Sequence, residues 1–343
     1  MTAAILIIYT GGTIGMKQDP EDLTLRPFDF SQILEEVPEL RKFAVRIDSY
    51  TFDMLIDSSD VEPSLWTRLA SLIRERYDQY DGFVILHGTD TMAYSASALS
   101  FMLEGLTKPV IFTGSQLPIG IPRTDGKENL ISAVEIAAAK DGDGHARVPE
   151  VSIYFDSRLM RGNRTSKLSA EDFNAFRSVN WPPLAEAGVN IRYNRSAIRY
   201  PGSWSQPLTV HDRLDTRVAI LKIHPGITPE MVRIFLCAPE IRAVIIETYG
   251  SGNALTKPWF TDIIREASAT GKILLNVTQC TAGSVNMDLY ATGKSLKEAG
   301  VVSGYDVTTE AALGKLFVLM GRSEDNGWVK AWLGEDLSGE ISK

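Results

Sequence analysis

The chain is poor in the residues that build disulfide scaffolds, zinc centres and histidine-based catalysis. Its 343 residues hold only 2 cysteines and 4 histidines. Cys237 and Cys280 are too far apart for a CxxC pair and too few for a disulfide framework, so both are expected as buried packing residues. No HExxH helix, GxSxG elbow or EF-hand loop occurs, and no metal or organic cofactor is expected. Cationic charge is also in deficit: 35 Lys and Arg against 43 Asp and Glu leave a net charge of −8 and a pI near 5.2. That balance argues against phosphate-dominated nucleic-acid binding and favours a small-molecule partner. No apolar run approaches the roughly 20 residues of a membrane helix. No basic region precedes the N-terminal apolar stretch, which leads into Gly11-Gly12 and reads as a core strand rather than a signal peptide. A cytoplasmic protein with no membrane partner is expected.

What is present reads as α/β. With 44% hydrophobic and 23% charged residues, the chain is an ordinary globular one, long enough for about two domains. Apolar runs of strand length alternate with helical patterns: strands at 3–9, 44–52, 82–86, 109–113 and 151–155, helices at 31–40, 63–80, 92–103 and 129–140. The spacing predicts a larger N-terminal, mostly parallel (mixed) sheet flanked by helices over residues 1–190. Pro182, Pro183, Pro201, Gly202 and Pro207 mark a break, placed as a linker over 191–212. A smaller parallel α/β domain follows over 213–343, with strands at 218–223, 243–248, 272–277 and 301–302 and helices at 229–237, 258–269 and 309–320.

Two turns stand out. Thr10-Gly11-Gly12-Thr13-Ile14-Gly15 follows the first strand, and His87-Gly88-Thr89-Asp90-Thr91-Met92 follows another. In an open α/β sheet, loops at the strand carboxyl ends bind ligands. Singly, each turn has a blander explanation: Gly-Gly suits any tight turn, and Thr or Asp before an apolar helix is usually a cap. Together they offer hydroxyls, a carboxylate and free amides, the ingredients of a nucleophile, an ammonium binder and an oxyanion hole. A hydroxyl nucleophile needs a base. His87 lies at the right loop, although a buried strand-end imidazole is the blander and preferred reading. Lysine is the alternative, since burial can lower its pKa, and the segment Arg158 to Lys167 supplies candidates; its blander reading is a solvated basic loop. Gly293-Lys294-Ser295 copies the end of a phosphate-binding loop, but Asp288 stands where the first glycine must be, and the match is discarded. Asp29 sits at about the spacing of a ribose contact, yet the first turn is not GxGxxG.

These residues carry a family resemblance. Residues 9–15 and 87–92 resemble the two signatures of the bacterial-type L-asparaginases. Further stretches match in family order across most of the chain: Asp57-Ser58-Ser59-Asp60, Thr113-Gly114-Ser115-Gln116, Thr124-Asp125-Gly126, Arg161 to Lys167, and Tyr249-Gly250-Ser251-Gly252-Asn253. The wording of Asp57-Ser58-Ser59-Asp60 and of Arg161-Gly162-Asn163-Arg164 resembles the cytoplasmic type I branch. The resemblance implies hydrolysis of L-asparagine to L-aspartate and ammonia through a β-aspartyl ester on Thr13, with Thr89, Asp90 and Lys167 as the second catalytic group. Asp90 and Asp57 would hold the substrate ammonium, Ser58 and Ser59 its carboxylate, and the Ser115 carbonyl would face the leaving ammonia. The Thr89 amide is the candidate oxyanion donor. The resemblance also implies a homodimer or homotetramer, with Gly252 and Asn253 as candidate intersubunit contributors.

Two departures from the family pattern follow. Many relatives place a tyrosine on a mobile lid after the first threonine, whereas residues 14–49 here contain none; Leu23, Leu25 or Phe28 would close the site instead, with solvent exclusion as the role. Some type I members bind asparagine as an effector near the segments equivalent to Glu247, Thr278 and Cys280, with a basic residue at the first position. An acidic Glu247 would not pair with an effector carboxylate, so weak or absent activation is expected, against which a sigmoidal rate curve would count. The rival readings are an amidotransferase subunit acting with aminoacyl-tRNA, disfavoured by the negative charge, and an amino-acid-binding protein or sensor without turnover. Low glutaminase activity is expected because the longer side chain misplaces the carbonyl by a methylene.

Overall fold

The computed structural model describes residues 2–18, 25–27 and 36–343. The chain divides into two compact units, Met1–Val210 and His211–Lys343.

The first unit carries strands β1 (Ala3–Tyr9), β2 (Met16–Gln18), β3 (Leu25–Pro27), β4 (Val45–Thr51), β5 (Gly82–Leu86), β6 (Leu103–Glu104), β7 (Val110–Thr113), β8 (Val151–Phe155), β9 (Arg158–Arg161), β10 (Ser166–Lys167), β11 (Phe176–Arg177), β12 (Ala185–Glu186), β13 (Arg192–Tyr193) and β14 (Thr209–Val210). Eight of them form one sheet in the order β13-β12-β9-β8-β7-β5-β1-β4. From β4 to β8 the pairs are parallel; β8–β9, β9–β12 and β12–β13 are antiparallel. The mixed sheet is therefore as the sequence pattern leads one to expect. Its central strands are buried throughout, because helices cover a parallel sheet on both faces and leave no solvated side. The helix Pro63–Arg76 starts on a proline, whose missing N–H costs nothing in a first turn, and buries Leu65, Trp66, Leu69, Ala70, Leu72 and Ile73. On the other flank, Leu130, Val134 and Ala137 of the helix Gly126–Ala138 join Ile5, Ile7, Val84 and Ile111 in the core. Each such Leu, Ile or Val side chain contributes about 1.5–3 kcal/mol on full burial.

Strand order fixes where the loops emerge. The chain leaves β1 for β4 on one side and returns to β5 on the other, so the order reverses at β1. Such a reversal opens a crevice at the strand carboxyl ends. Tyr9, Leu86 and Thr113 are cross-strand neighbours there, and the loops that follow them start side by side.

Several local expectations change. Of the helix expected at 31–40, residues 31–35 lie outside the described residues, and a 3-10 helix occupies Pro38–Lys42. Leu23, Phe28 and Asp29 also lie outside them, and Leu25 opens β3, which pairs with β2. The basic segment is not a solvated loop. Arg158–Arg161 is an inner strand of the sheet, and Arg161 and Arg164 are buried. The Arg161 Nε donates to Glu150 Oε2 at 2.6 Å, and its Nη2 donates to the Ala197 carbonyl at 2.8 Å, so a buried carboxylate compensates the charge. Within the stretch placed as a linker, β13 and β14 pair with strands of the first unit, and the division falls after Val210.

The second unit holds β15 (Val218–Lys222), β16 (Ala243–Thr248), β17 (Ile273–Thr278) and β18 (Val302–Ser303), all parallel and in chain order. Its helices start on clear signals: Thr228 and Thr308 accept the N–H groups of Met231 and Ala311, and Pro229 and Pro258 open first turns. Phe260, Ile264, Val244, Ile246 and Leu274 form its core. Helices at Ala291–Glu298 and Asn326–Leu333 were not anticipated. Both cysteines are exposed rather than buried; Cys237 ends a helix and Cys280 lies in the turn after β17, where neither faces a core.

Candidate active site

The loop after β1 is shaped by close backbone approaches. Thr10 is buried, and its N–H and hydroxyl both donate to the Leu86 carbonyl, at 3.1 and 2.9 Å, fastening the loop to the end of β5. Gly11 and Gly12 have φ of 130° and 89°. A Cβ on Gly11 would lie 2.3 Å from the Ile56 carbonyl oxygen, and one on Gly12 2.5 Å from the Gly88 nitrogen. Only glycine satisfies both the dihedral and the space. Thr13 then opens a single 3-10 turn, half-buried, and its hydroxyl has no hydrogen-bond partner among the described residues.

The second loop packs against the first and against residues 57–60. A Cβ on Gly88 would meet Ser58 Oγ at 2.5 Å. Ser58 Oγ accepts the Asp90 N–H at 3.2 Å, and its carbonyl accepts the Thr91 hydroxyl at 2.6 Å. Thr91 precedes the helix Met92–Met102 but makes no side-chain cap. The capping explanation of this motif therefore fails: the Thr91 hydroxyl ties the second loop to the third. Asp57 Oδ1 accepts both the N–H and the hydroxyl of Ser59, at 2.9 and 3.0 Å. Those bonds, the backbone one first, hold the Asp57 carboxyl below its ordinary pKa, so it is an anion at neutral pH.

Lys167 arrives from the far side of the sheet. After β9 the chain turns through Gly162–Arg164, and β10, paired with β11, delivers the side chain. Lys167 Nζ donates to Thr89 Oγ1 at 2.8 Å and to Asp90 Oδ1 at 2.7 Å. Three residues from two distant segments thus form one hydrogen-bonded group. Sequence reasoning missed Gln116 as part of it. Thr89 Oγ1 makes a long contact to Gln116 Oε1, 3.5 Å, while Gln116 Nε2 donates to the carbonyls of Asp172 and Ala170, at 3.0 and 3.3 Å. The available signal was a long amide side chain just beyond a third parallel strand, at the sheet end that already held both turns. Ser115 is buried beside it; its hydroxyl donates to Leu117, and its carbonyl accepts nothing among the described residues.

His87 takes no part as a base. It is buried, its Nδ1 is 2.7 Å from the Gly88 carbonyl and its Nε2 2.9 Å from Ser95 Oγ. Desolvation pushes its pKa from 6.5 down to about 4, against the opposing effect of the Gly88 bond.

The remaining candidates lie in the second unit at strand carboxyl ends. Gly252 has φ 100° in the turn 249–253, and Asn253 Oδ1 accepts the Thr292 hydroxyl at 2.8 Å. The carboxylate of Glu247 accepts the Thr309 hydroxyl at 2.7 Å and faces Lys222 Nζ at 3.5 Å. Thr278 Oγ1 donates to the Gly250 carbonyl at 2.6 Å and accepts the Cys280 N–H at 3.0 Å.

Comparison with known proteins matches both units. The family model "Asparaginase, N-terminal" covers residues 4–199, and "Glutaminase/Asparaginase C-terminal domain" covers residues 217–333. L-asparaginase 1 of Escherichia coli is 43% identical over 342 residues, 99% of this chain and 98% of that protein. The 60 kDa lysophospholipase of Mus musculus is 40% identical, and the match covers 98% of this chain and 62% of that protein. Among solved structures, L-asparaginase I from Vibrio cholerae superposes with a TM-score of 0.91 at 42% identity, covering 100% of both chains. With both family models matched in order and relatives aligned along nearly its whole length, the chain belongs to the asparaginase family of amide hydrolases.

Proposed function

We propose that this chain is an L-asparaginase, hydrolysing L-asparagine to L-aspartate and ammonia through an ester on Thr13. The observation that carries the reading is the Lys167–Thr89–Asp90 group, its bonds at 2.8 and 2.7 Å, on a loop whose Gly88 abuts the Gly12 that precedes Thr13. A pocket that only bound an amino acid would need neither a lysine on a threonine hydroxyl nor a second, unpartnered threonine. In this scheme the Thr13 hydroxyl attacks the side-chain amide carbon, and the charge developing on the carbonyl oxygen meets the Thr89 N–H. The C–N bond then breaks, the amine leaves as ammonia past the Ser115 carbonyl, and a β-aspartyl ester stays on Thr13. Water attacks the ester and aspartate departs, restoring the threonine. Thr89 and Lys167 relay the protons, taking one from the attacking group and returning one to the leaving group, which needs the close contact they have.

Asp57 and Asp90 each present a carboxylate oxygen to the substrate ammonium, while Ser58 and Ser59 receive its carboxylate. Fixed partners at both ends select an α-amino acid over a simple amide. A site fitted to the shorter side chain misplaces the glutamine carbonyl by a methylene, so glutamine turnover is low. The scheme needs no metal or organic cofactor and no nucleic acid. Solvent exclusion by Leu23, Leu25 or Phe28, in place of a lid tyrosine, belongs to the same reading. Among the described residues no helix is long and apolar enough to cross a membrane, and a cytoplasmic homodimer or homotetramer, with Gly252 and Asn253 at the intersubunit contact, is part of the same reading. Glu247 puts an acidic side chain where an effector carboxylate would need a basic one, so activation by an effector is weak or absent.

Ammonia release from L-asparagine and L-glutamine at equal concentration tests the proposal. Asparagine should turn over about 100-fold faster. Comparable rates would reject the specificity, and no release from well-folded protein would reject the activity in favour of a binding protein.

A further inference from the structure

Among the buried titratable groups without a part in the scheme, His87 lies in the second catalytic loop itself. His87 sits at the carboxyl end of β5, one residue before the glycine that abuts both neighbouring loops, and its side chain is 1% exposed. Three hydrogen bonds run through it in a line. Trp66 Nε1 lies 2.8 Å from Ser95 Oγ, Ser95 Oγ 2.9 Å from His87 Nε2, and His87 Nδ1 2.7 Å from the Gly88 carbonyl oxygen.

The chemistry of these groups fixes every proton. A carbonyl only accepts, so His87 Nδ1 must carry a hydrogen. An indole N–H only donates, so Ser95 Oγ accepts from Trp66 and keeps its own proton to give. A neutral imidazole has one N–H, already used at Nδ1, so Nε2 accepts from Ser95. Burial keeps the ring neutral. The tautomer is thus dictated by an anchor on the helix Pro63–Arg76, far along the chain from the loop.

The consequence falls on the next peptide. Gly88–Thr89 is a trans peptide, as are all peptides of the described residues, and in a trans peptide the C=O and N–H point in opposite directions. With the Gly88 carbonyl held toward the core by His87, the Thr89 N–H points away from it. That N–H finds no acceptor among the described residues, whereas the next one, of Asp90, is held by Ser58. Thr89 N–H is therefore a free donor beside the hydroxyl that Lys167 contacts.

We propose that His87 is a positioning residue for the oxyanion donor: its Nδ1–H locks the Gly88–Thr89 peptide so that the Thr89 N–H is aimed at the substrate carbonyl oxygen. The inference rests on the asparaginase reading and adds to it a group that never touches substrate. A preset donor needs no reorganisation when charge develops, which is the source of its effect on rate. Loss of one oxyanion donor lowers kcat by about 10²–10³-fold. A misaimed donor costs less, about 10- to 100-fold, with KM nearly unchanged because the ground-state carbonyl depends little on it.

The test compares two amides of similar size. In His87→Asn the side-chain NH2 takes the place of Nδ1 and can still donate to Gly88; in His87→Gln it takes the place of Nε2 and cannot. Steady-state kinetics with L-asparagine, and thermal unfolding as a check on folding, should show kcat within about threefold of wild type for Asn and lowered about 10- to 100-fold for Gln, with KM held in both. Equal loss in the two variants, or loss that follows the unfolded fraction, overturns the role. Independently of activity, 15N NMR of the imidazole should find the proton on Nδ1; a proton on Nε2 overturns it as well. An inactive wild type would refute the asparaginase reading, whereas an active wild type with indifferent variants would refute only the role of His87.

Discussion

At the scale of single residues, the site depends on which groups are already committed and which are free. Thr10, Thr91 and His87 all look chemical in the sequence, and all are consumed in holding the backbone: Thr10 on Leu86, Thr91 on Ser58, His87 on Gly88. The hydroxyl of Thr13 stays unpartnered among the described residues, and that of Thr89 faces an amine. The commitment of His87 has a signature in stability. Its pKa falls from 6.5 to about 4 on burial, so between those values the unfolded chain binds a proton that the folded chain refuses. Stability therefore drops as pH falls through that window, by about 3 kcal/mol in all, and is flat with respect to this group above it. Urea unfolding at about pH 7 and about pH 4.5 should show a larger loss for wild type than for His87→Asn. Equal losses would mean that the imidazole is charged or solvated in the folded state.

At the scale of elements, continuous apolar strands were legible and the hairpin that leads toward Lys167 was not. Ala3–Tyr9, Gly82–Leu86, Val151–Phe155 and Ala243–Thr248 run as the apolar pattern marks them, because a strand buried on both faces is built mostly of apolar residues. The turn between β8 and β9 carries no such signal. It is made by Asp156 and Ser157 at φ of 48° and 63°, where a two-residue hairpin usually advertises itself with Asn-Gly. The following Arg161 reads as solvated from sequence, whereas Glu150 and the Ala197 carbonyl make its burial tolerable. The same pairing makes the element fragile. Arg161→Met leaves Glu150 buried without its cation and should destabilise the protein by about 3–5 kcal/mol, measured by denaturant unfolding. A cost under about 1 kcal/mol would show that the pair is solvated and that the hairpin is held by other contacts.

At the scale of the whole molecule, each unit repeats one solution, a run of parallel strands with candidate site residues at the strand carboxyl ends. The family was legible because its signatures are the stretches where the loops pack too closely for a side chain. Gly12 against Gly88 and Gly88 against Ser58 admit no side chain, so the motif is a record of geometry. The role of Gln116 was not legible because it depends on three segments meeting, Thr89, Gln116 and 170–172, which no single stretch encodes. The exposure of both cysteines was missed for a related reason, since composition says nothing about which side of a helix end or turn faces solvent. In the proposed reaction Thr13 carries the ester while Thr89 and Lys167 move protons. Ammonia release and acid-quench peptide mapping of wild type, Thr13→Ala and Lys167→Met with L-asparagine test it most directly. The account expects turnover to fall by about 10³-fold or more in both variants, with any trapped β-aspartyl adduct on Thr13. An adduct on Thr89, or near-normal turnover by folded Thr13→Ala, would contradict it.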